Sequence, residues 1–278
     1  MGFFLGKFLI LGVRMIKESL ILPSQGFPYK GRLEGSSVTV SPITTRIYKD
    51  YVWKNDEEGL LHLVDSCLVD CPLKAEDLCY SDLLAVYIKI RSISLGNVAP
   101  INTVCPKCGV RQNSELLLDT LECKYLSLSE YPIPLELPTS KLKIKVTIPT
   151  SHSSRMAREE AKKRASLFNK PIEEYESLYS ILVDIHVESV VGDLVSKAEW
   201  YDSLALKDAM FIDQVYKMVQ EFGITMTQPL ECKSCKNKYR SPLKIDQSFF
   251  RTDIGDIPGF TVTEGTLEKG PVGTGKNE

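Results

Sequence analysis

The sequence lacks the charge imbalance that is typical of proteins made to coat nucleic acid. Its 34 Lys and Arg residues are nearly balanced by 36 Asp and Glu residues, which gives a net charge of −2. A nucleic-acid role would therefore have to come from a local basic patch. The 278 residues, of which 43% are hydrophobic and 25% charged, are ordinary for a globular protein with one large domain or two modest ones.

The sequence also has little that would direct it to a membrane. The apolar run at residues 3–13 includes Lys7 and is well short of the roughly 20 residues that span a bilayer. It has neither the basic n-region nor the small-residue cleavage site of a secretory signal. We interpret residues 1–19 as an apolar extension, with Met1 or Met15 as the native start and a short membrane-surface segment as a further alternative. Without export, the eight cysteines do not form a disulfide framework.

Residues that would support catalysis are few. The three histidines, His62, His152 and His186, fall on different predicted elements, and none lies beside a cysteine pair. A catalytic zinc site with an open coordination position therefore has no ligand set. Neither a Ser/His/Asp triad nor a pair of catalytic carboxylates can be traced, so we predict that the protein is not an enzyme.

The C-terminal residues 254–278 are rich in glycine and charge, which predicts a flexible tail. Within it, Gly270, Gly275 and Lys276 match the first part of a phosphate-binding loop. That loop requires a preceding strand and then a Ser or Thr that opens a helix, whereas Asn277 follows here. We therefore reject nucleotide binding at this motif.

Two cysteine pairs carry the strongest chemical signal. Cys105 and Cys108 lie in CPKCG, Cys232 and Cys235 lie in CKSC, and strand-like runs bracket both pairs. Such a turn, or knuckle, lets two thiolates reach one ion, and a structural zinc needs four ligands. The pairs are about 120 residues apart, compared with roughly 15–20 in a compact zinc ribbon. We predict a split ribbon in which two distant hairpins share one structural Zn²⁺.

Other interpretations of the cysteines stay open. Each pair could instead be reduced buried thiols or a redox pair, and a four-thiolate site could hold iron. The second turn has Lys236 where many ribbons have a glycine, as the first turn has Gly109. In favour of a metal, an ion shared by both hairpins would offset the entropy of closing a long loop. We interpret the remaining cysteines as small buried hydrophobic residues: Cys67, Cys71, Cys79 and Cys123.

Apolar periodicity predicts an α+β protein in which helical layers surround the split ribbon. Residues 37–43 and 142–148 are predicted strands, and the predicted helices are 46–55, 57–69, 83–94, 153–168, 172–190 and 198–222. The predicted division is an N-terminal helical region at 20–97, the first knuckle hairpin with further strands at 98–149, a helical insertion at 150–223 and the second knuckle hairpin at 224–253. The last helix has one apolar stripe: Met210, Phe211, Val215, Met218, Val219 and Phe222.

Basic residues surround both predicted knuckles. A zinc ribbon with a basic face can bind phosphates, so a nucleic-acid-binding module is the alternative function. Against this alternative, exposed knuckle tips need polar side chains in any case, and lysines near thiolates offset their negative charge. The residues are Lys107, Arg111, Lys124, Lys233, Lys236, Lys238, Arg240 and Lys244.

Several short segments occur in a particular order along the chain. They are LILPSQGFPYKG, KIRSISLG, CPKCG, EFGI, CKSC and SFFR. This ordered set resembles the baseplate hub assembly proteins of T-even-like contractile phages, from about Leu20 to Arg251. The resemblance implies a virus-encoded, non-enzymatic protein that acts when the hub at the tip of the tail is built, either as a chaperone that leaves or as a structural component that stays.

Such a role implies protein–protein interfaces with phage hub and tail proteins. These contacts would form in the host cytoplasm during assembly and, if the protein stays, in the tail baseplate of the virion. Large aromatic side chains are the candidate anchors, and ordinary core packing is the alternative for each of them. They are Phe249, Phe250, Trp200, Tyr29 and Trp53.

Overall fold

The computed structural model describes residues 16–53, 57–187, 193–242 and 247–250. The apolar run at 3–13, both candidate start residues and the predicted tail at 254–278 lie outside the described residues, as does the side chain of Trp53. Among the helices that are described, none combines the length and apolar character needed to cross a membrane.

The chain is an α+β protein with short strands and helices of moderate length. The helices of the described residues are α1 (Thr45–Trp53), α2 (Glu57–Cys67), α3 (Tyr80–Leu95), α4 (Ser151–Phe168), α5 (Glu173–Leu182), α6 (Leu194–Asp202) and α7 (Leu206–Met218). The strands are β1 (Glu18–Ile21), β2 (Ser37–Val40), β3 (Leu68–Val69), β4 (Val98–Val104), β5 (Arg111–Leu117), β6 (Cys123–Lys124), β7 (Ile133–Glu136), β8 (Lys143–Val146), β9 (Ile185–Val187), β10 (Gly223–Ile224), β11 (Thr227–Glu231) and β12 (Lys238–Pro242).

Helix α3 joins the N-terminal core to the first knuckle hairpin. Strands β1, β2 and β3 form an antiparallel sheet in that order, and α3 packs beside it. Val86 and Ile90 are buried in this N-terminal core, whereas Leu84 and Ile88 are buried against Ala99 of β4. Because α3 has apolar residues on more than one face, it is covered by both groups.

A buried carboxylate holds the segment between β1 and β2 against the start of α3. Asp82 is fully buried and accepts hydrogen bonds from the N–H of Ser24 at 2.8 Å and from the hydroxyl of Tyr29 at 2.7 Å. The Tyr29 hydroxyl in turn accepts a hydrogen bond from the N–H of Cys79 at 2.8 Å. Much of the segment LILPSQGFPYKG is therefore tied to the helix that leads to the first knuckle.

A second core lies between the sheet β7–β8–β9 and helices α4 to α7. Ile144 and Val146 alternate inward on β8 and meet the buried Ala157 and Ala161 of α4. Strands β7 and β8, which follow the first knuckle in sequence, thus pack with the helical middle of the chain.

The prediction of one helix across residues 172–190 is wrong beyond Leu182. The chain turns there, and Ile185–Val187 form β9, which pairs antiparallel with β8. The Ile-His-Val sequence alternates, so Ile185 and Val187 are buried while His186 faces outward. Burial of two β-branched residues against a neighbouring strand outweighed the helical pattern of the preceding turns.

The predicted helix at 198–222 is two helices, α6 and α7, and its apolar stripe is only partly buried. Met210 and Met218 are 62% and 60% exposed, whereas Ile212 and Val219 are buried. The break at residues 203–205 sets α7 in a new direction, so a different face of it meets the core. The apolar pattern alone did not identify that face.

Candidate metal centre

The first knuckle is a tight turn between β4 and β5. Cys105 follows β4 directly, and its N–H donates to the carbonyl of Val110 at 3.0 Å. The N–H of Gly109 donates back to the carbonyl of Cys105 at 2.9 Å. Gly109 has φ +70°, a left-handed conformation that glycine adopts without steric cost. The turn therefore presents the Cys105 and Cys108 side chains together.

The second knuckle repeats this geometry between β11 and β12. The N–H of Cys232 donates to the carbonyl of Asn237 at 2.9 Å, and the N–H of Lys236 donates to the carbonyl of Cys232 at 2.9 Å. Lys236 has φ +57° and occupies the position that Gly109 has in the first knuckle. The lysine that departs from the usual ribbon pattern thus takes the left-handed conformation that the turn requires.

The two knuckles bring four thiols together from segments 124 residues apart. The Sγ atoms of Cys105 and Cys235 are 3.7 Å apart, those of Cys108 and Cys232 are 3.6 Å apart, and all four lie within 4.8 Å of one another. A tetrahedron with metal–sulfur bonds of about 2.3 Å has sulfur–sulfur edges of about 3.8 Å. The four thiols can therefore hold one metal ion.

Backbone amides favour the thiolate form of the first cysteine in each knuckle. The N–H of Cys108 is the main cause that lowers the pKa of the Cys105 thiol to about 6. The N–H of Cys235 has the same effect on Cys232, whose pKa is also lowered. These two side chains are buried, and amide donors of this kind stabilise a negative charge that is shielded from water.

The thiol of Cys108 has the opposite tendency. The N–H of Val110 lowers its pKa, but the neighbouring thiols, Cys235 first among them, raise it to about 12. Four clustered thiolates repel one another, so the last protons leave only when a cation compensates the charge. Binding of a metal at this site must release protons.

A polar cluster, absent from the sequence-based prediction, joins the two hairpins behind the thiols. The hydroxyl of Tyr239 on β12 lies 2.9 Å from Oγ1 of Thr103 on β4. Nε2 of Gln112 on β5 donates to the same hydroxyl at 3.2 Å and to the carbonyl of Glu231 at 3.3 Å. Thr103 and Gln112 are buried and lie directly opposite each other in the β4–β5 register. Their places in the two strand-like runs that bracket the first knuckle are the sequence signal that could have indicated a shared inward face.

The second knuckle also reaches across to β5. The N–H of Lys233 donates to Oε1 of Gln112 at 2.9 Å, and the Lys233 ammonium donates to the carbonyl of Asn113 at 3.0 Å. Both polar ends of the Gln112 side chain are thus used by the other hairpin. The hairpins are held in register by hydrogen bonds as well as by the position of the thiols.

A buried arginine connects the ribbon to the N-terminal core. Arg91 of α3 is 1% exposed, and its guanidinium donates to the carbonyls of Phe249 at 2.8 Å, Gly96 at 2.9 Å and Val98 at 3.0 Å. These carbonyls belong to the segment after β12, the end of α3 and the start of β4. One side chain therefore ties the start of the first hairpin and the segment around Phe249 to α3, and sequence reasoning did not identify it.

Of the five aromatic side chains suggested as interface anchors, two are in the core. Tyr29 and Phe250 are 1% exposed, so core packing is correct for these two and an exposed role is wrong. The Phe250 ring meets Tyr87 at 6.4 Å and Phe249 at 5.4 Å between centroids, both edge to face. Phe249 is half-buried, and Trp200 is half-buried against the second core. Arg91 and the apolar core explain why the phenylalanine pair turns inward.

The remaining cysteines and the histidines are not part of the four-thiol cluster. Cys67 and Cys79 are buried as predicted, and burial raises the pKa of the Cys67 thiol to about 12. Cys71 and Cys123 are half-buried. The three histidines lie on α2, α4 and β9, on separate elements as expected.

The basic residues of the second hairpin point outward but are partly engaged. Lys236, Lys238 and Arg240 are exposed. Lys238 lies directly opposite Glu231 in the β11–β12 register, and Nε of Arg240 donates to Oγ1 of Thr227 at 3.3 Å. The register therefore places a carboxylate opposite Lys238, whereas Arg240 meets a neutral hydroxyl.

Comparison with known proteins gives one result that decides the family. The model of the T4 bacteriophage base plate protein family matches residues 19–251. The chain belongs to this family. The match covers both hairpins, all described helices and the segment with the phenylalanine pair, which confirms the resemblance at the level of a T4-like phage baseplate protein. No curated protein and no solved structure matches the chain.

Membership of the baseplate family indicates the general function of the protein. A baseplate protein is a structural or assembly component of the phage tail, and its binding partners are other baseplate or tail proteins. The cysteine cluster adds the capacity to bind one metal ion.

Proposed function

We propose that this baseplate protein acts in building the central hub, as a non-enzymatic protein whose binding surfaces are stiffened by a structural zinc ion. The observation that supports the zinc is the near-tetrahedral spacing of 3.6–3.7 Å between sulfurs of different knuckles. The family match over residues 19–251 supports the baseplate. The hub is proposed from the ordered segments and the phenylalanine pair.

Zn²⁺ fits the donor set better than Mg²⁺ or Ca²⁺. Four cysteine sulfurs leave no open coordination position, as in structural zinc sites, and soft thiolates disfavour Mg²⁺ and Ca²⁺. Cys105, Cys108, Cys232 and Cys235 would hold the ion, which would supply a cross-link without any reaction chemistry. The cross-link would fix the surface formed by both hairpins.

The place of action follows from the proposed role. The protein would meet hub and tail proteins in the host cytoplasm while the baseplate is assembled, and it would either leave as a chaperone or remain in the virion tail. We also propose the division of the sequence at residues 97/98, 149/150 and 223/224, with the helical middle inserted between the two hairpins, although β7 and β8 precede 149/150 and pack with that helical middle.

A pull-down from infected cells tests this function. The tagged protein is captured with and without nuclease, and its partners are compared by mass spectrometry with the content of purified particles. Hub proteins in the pull-down but no copy in particles identify an assembly factor, and presence in both identifies a built-in component. Partners other than hub proteins contradict the hub assignment.

The alternative, a nucleic-acid-binding zinc ribbon, rests on the exposed Lys236, Lys238 and Arg240. It requires that the captured partners disappear after nuclease treatment. It also requires that binding to nucleic acid falls steeply with salt and with charge reversal of these three residues. Insensitivity to both excludes it.

A further inference from the structure

An open groove lies between helix α7 and the turn that joins β7 to β8, within the second core and not at the metal centre. Its cavity volume is about 790 Å³. Four apolar and four polar side chains line it. The apolar ones are Pro138, Leu206, Met210 and Phe211, and the polar ones are Lys207, Asp213, Gln214 and Lys217.

The walls of the groove are fixed to each other by a buried carboxylate. Asp208, in the first turn of α7, is fully buried and accepts hydrogen bonds from the N–H of Thr139 at 2.7 Å and of Ser140 at 2.9 Å. These two residues follow Pro138 in the turn. The groove is therefore formed before any partner arrives, which reduces the entropy that binding would cost.

The apolar part of the groove is unusually exposed for a well-packed helix. Leu206 and Met210 are 77% and 62% exposed and lie four residues apart, so they form one ridge on the outer face of α7. Ile212, on the inner face, is 1% exposed and belongs to the core. A ridge of this kind beside an apolar trough is the surface into which the side chains of a second helix pack.

The groove has a net positive charge, because two lysines and one carboxylate line it. Lys207 and Lys217 lie at opposite ends of α7, and both are exposed. The carboxylate of Asp213, which also lines the groove, accepts a hydrogen bond from the Tyr201 hydroxyl at 2.8 Å. A ligand that fits both the apolar trough and the lysines needs carboxylates beside an apolar stripe.

We propose that this groove binds a helix of another baseplate protein, with an apolar stripe flanked by carboxylates. The chemistry of the helix is inferred from the groove alone. Only the statement that the helix comes from a baseplate protein rests on the proposed function.

A second copy of the chain fits this groove poorly. In a two-fold symmetric contact the same face of both copies meets. This face has two lysines and one carboxylate, so both surfaces would carry a net positive charge. Surfaces of like charge are unfavourable partners.

The terminal segments of the chain also fit poorly. Residues 1–16 are apolar, but their only charged residues are Lys7 and Arg14, which have the same sign as the groove. Residues 252–278 contain carboxylates, but Gly255, Pro258 and Gly259 interrupt any helical stripe. A helix supplied by another protein remains as the occupant.

The first test uses a synthetic helical peptide as the probe, with leucines at i, i+3, i+4 and i+7 and glutamates on both flanks. Binding to the full-length chain is measured by fluorescence anisotropy, beside a matched peptide with lysines in place of the glutamates. The acidic peptide should bind at least about tenfold more tightly. Leu206→Ser with Met210→Ser should weaken it by about tenfold or more. Lys207→Glu with Lys217→Glu should reverse the preference between the peptides.

Leu167→Ser and Lys162→Glu are the matched controls. Leu167 is 75% exposed at the end of α4, and Lys162 is exposed on the same helix, so both lie outside the groove. Neither control should change the affinity for the acidic peptide. The proposal would be overturned if both peptides bound with equal affinity. It would also be overturned if control and groove variants lost affinity for the acidic peptide to the same extent.

The second test maps the occupant in infected cells with a photo-crosslinking amino acid at position 210. A crosslink to an acidic, helix-forming segment of a baseplate protein supports the proposal, whereas a crosslink to residues 252–278 or to a second copy overturns it. The pull-down is repeated with Leu206→Ser and Met210→Ser. If the hub proteins are retained in full, the groove proposal fails and the hub function stands; if wild type captures no hub protein, the hub function fails independently.

Discussion

Lys236 occupies, in the second knuckle, the left-handed backbone position that Gly109 occupies in the first. Their φ angles are +57° and +70°, and the N–H of each donates 2.9 Å to the carbonyl of the first cysteine in its own knuckle. The two halves of the cluster therefore have the same backbone geometry, although only one has the residue type that suits it. The difference leads to the first prediction.

Replacing Lys236 by glycine should stabilise the protein by about 0.5–1 kcal/mol, because glycine carries no steric cost at positive φ. The measurement is the free energy of unfolding in denaturant at constant metal content. Gly109→Ala is the converse variant: its Cβ would meet nothing within 4 Å, so its expected loss of about 1 kcal/mol comes from the backbone alone. A stabilised Gly109→Ala would contradict the assignment of these turns.

Replacing one cysteine of the cluster should release the metal. Cys105→Ser or Cys232→Ser removes a buried ligand and should reduce bound zinc from one equivalent to a small fraction, with a clear fall in melting temperature. Metal content is measured by mass spectrometry beside the thermal transition. Cys71→Ser, a half-buried thiol outside the cluster, serves as the control and should keep its zinc. Two folded cluster variants with unchanged melting temperatures would show that the metal is not structural.

The Tyr239 hydroxyl should contribute to holding the hairpins together. Tyr239→Phe removes the Tyr239 partner of Thr103 and leaves Nε2 of Gln112 with only the Glu231 carbonyl, at a cost of about 1 kcal/mol. Zinc should still bind at one equivalent, but chelators should remove it faster. A double-mutant cycle with Thr103→Val checks the contact, since additive effects would mean that the two hydroxyls do not interact.

Loss of the Arg91 guanidinium should be among the most damaging single changes. Arg91→Met removes the donor to the carbonyls of Gly96, Val98 and Phe249, and because the first two residues are exposed, water can replace part of it, for a cost of about 2–3 kcal/mol. Arg91→Lys should recover only part of it, because an ammonium cannot match three carbonyls held by a planar fork. Denaturant unfolding gives the difference. Arg46→Met, at an exposed position of α1, is expected to change stability by less than about 0.5 kcal/mol.

Because of Asp184, the free energy of unfolding should fall as the pH rises from about 4 to about 7. Burial raises the pKa of its carboxyl to about 7, although hydroxyls of Ser153 and Thr147 donate to it at 3.3 Å. Below about pH 4 both folded and unfolded chains are protonated here. Between about pH 4 and pH 7 the Asp184 carboxyl ionises in the unfolded chain but stays protonated in the folded chain. The stability that the protonated carboxyl contributes is therefore lost progressively as the pH rises. Relative to wild type, Asp184→Asn should therefore gain on the order of 1–4 kcal/mol across that range.

Asp208→Asn provides the control for this pH dependence. Burial tends to raise the pKa of Asp208, but the N–H groups of Thr139 and Ser140 outweigh it and lower the pKa below the usual range. Its contribution is present above about pH 4 and is lost only as the pH falls through the lowered pKa. The stability difference between Asp208→Asn and wild type should then be constant from pH 4 to 7. A flat difference for Asp184→Asn as well would contradict the raised pKa.

The sequence by itself determined the local features of this protein. Each C-x-x-C turn is fixed by its spacing and by the strands on both sides, and the alternation of Ile144 and Val146 identified β8. Most helices were also correct, because capping residues and 3.6-residue periodicity act within a few turns. The order of short segments was enough to identify the baseplate family.

Only the tertiary structure decided how distant segments meet. The pairing of the two knuckles was predicted from the sequence, but the inward turn of Phe250, the burial of Arg91 and the formation of β9 depend on partners more than 30 residues away that no local pattern identified. Burial is a property of the assembled core, so a helix pattern such as that of α7 shows apolar positions without showing which of them another element covers. The exposed ridge of Leu206 and Met210 is therefore visible only in the folded protein.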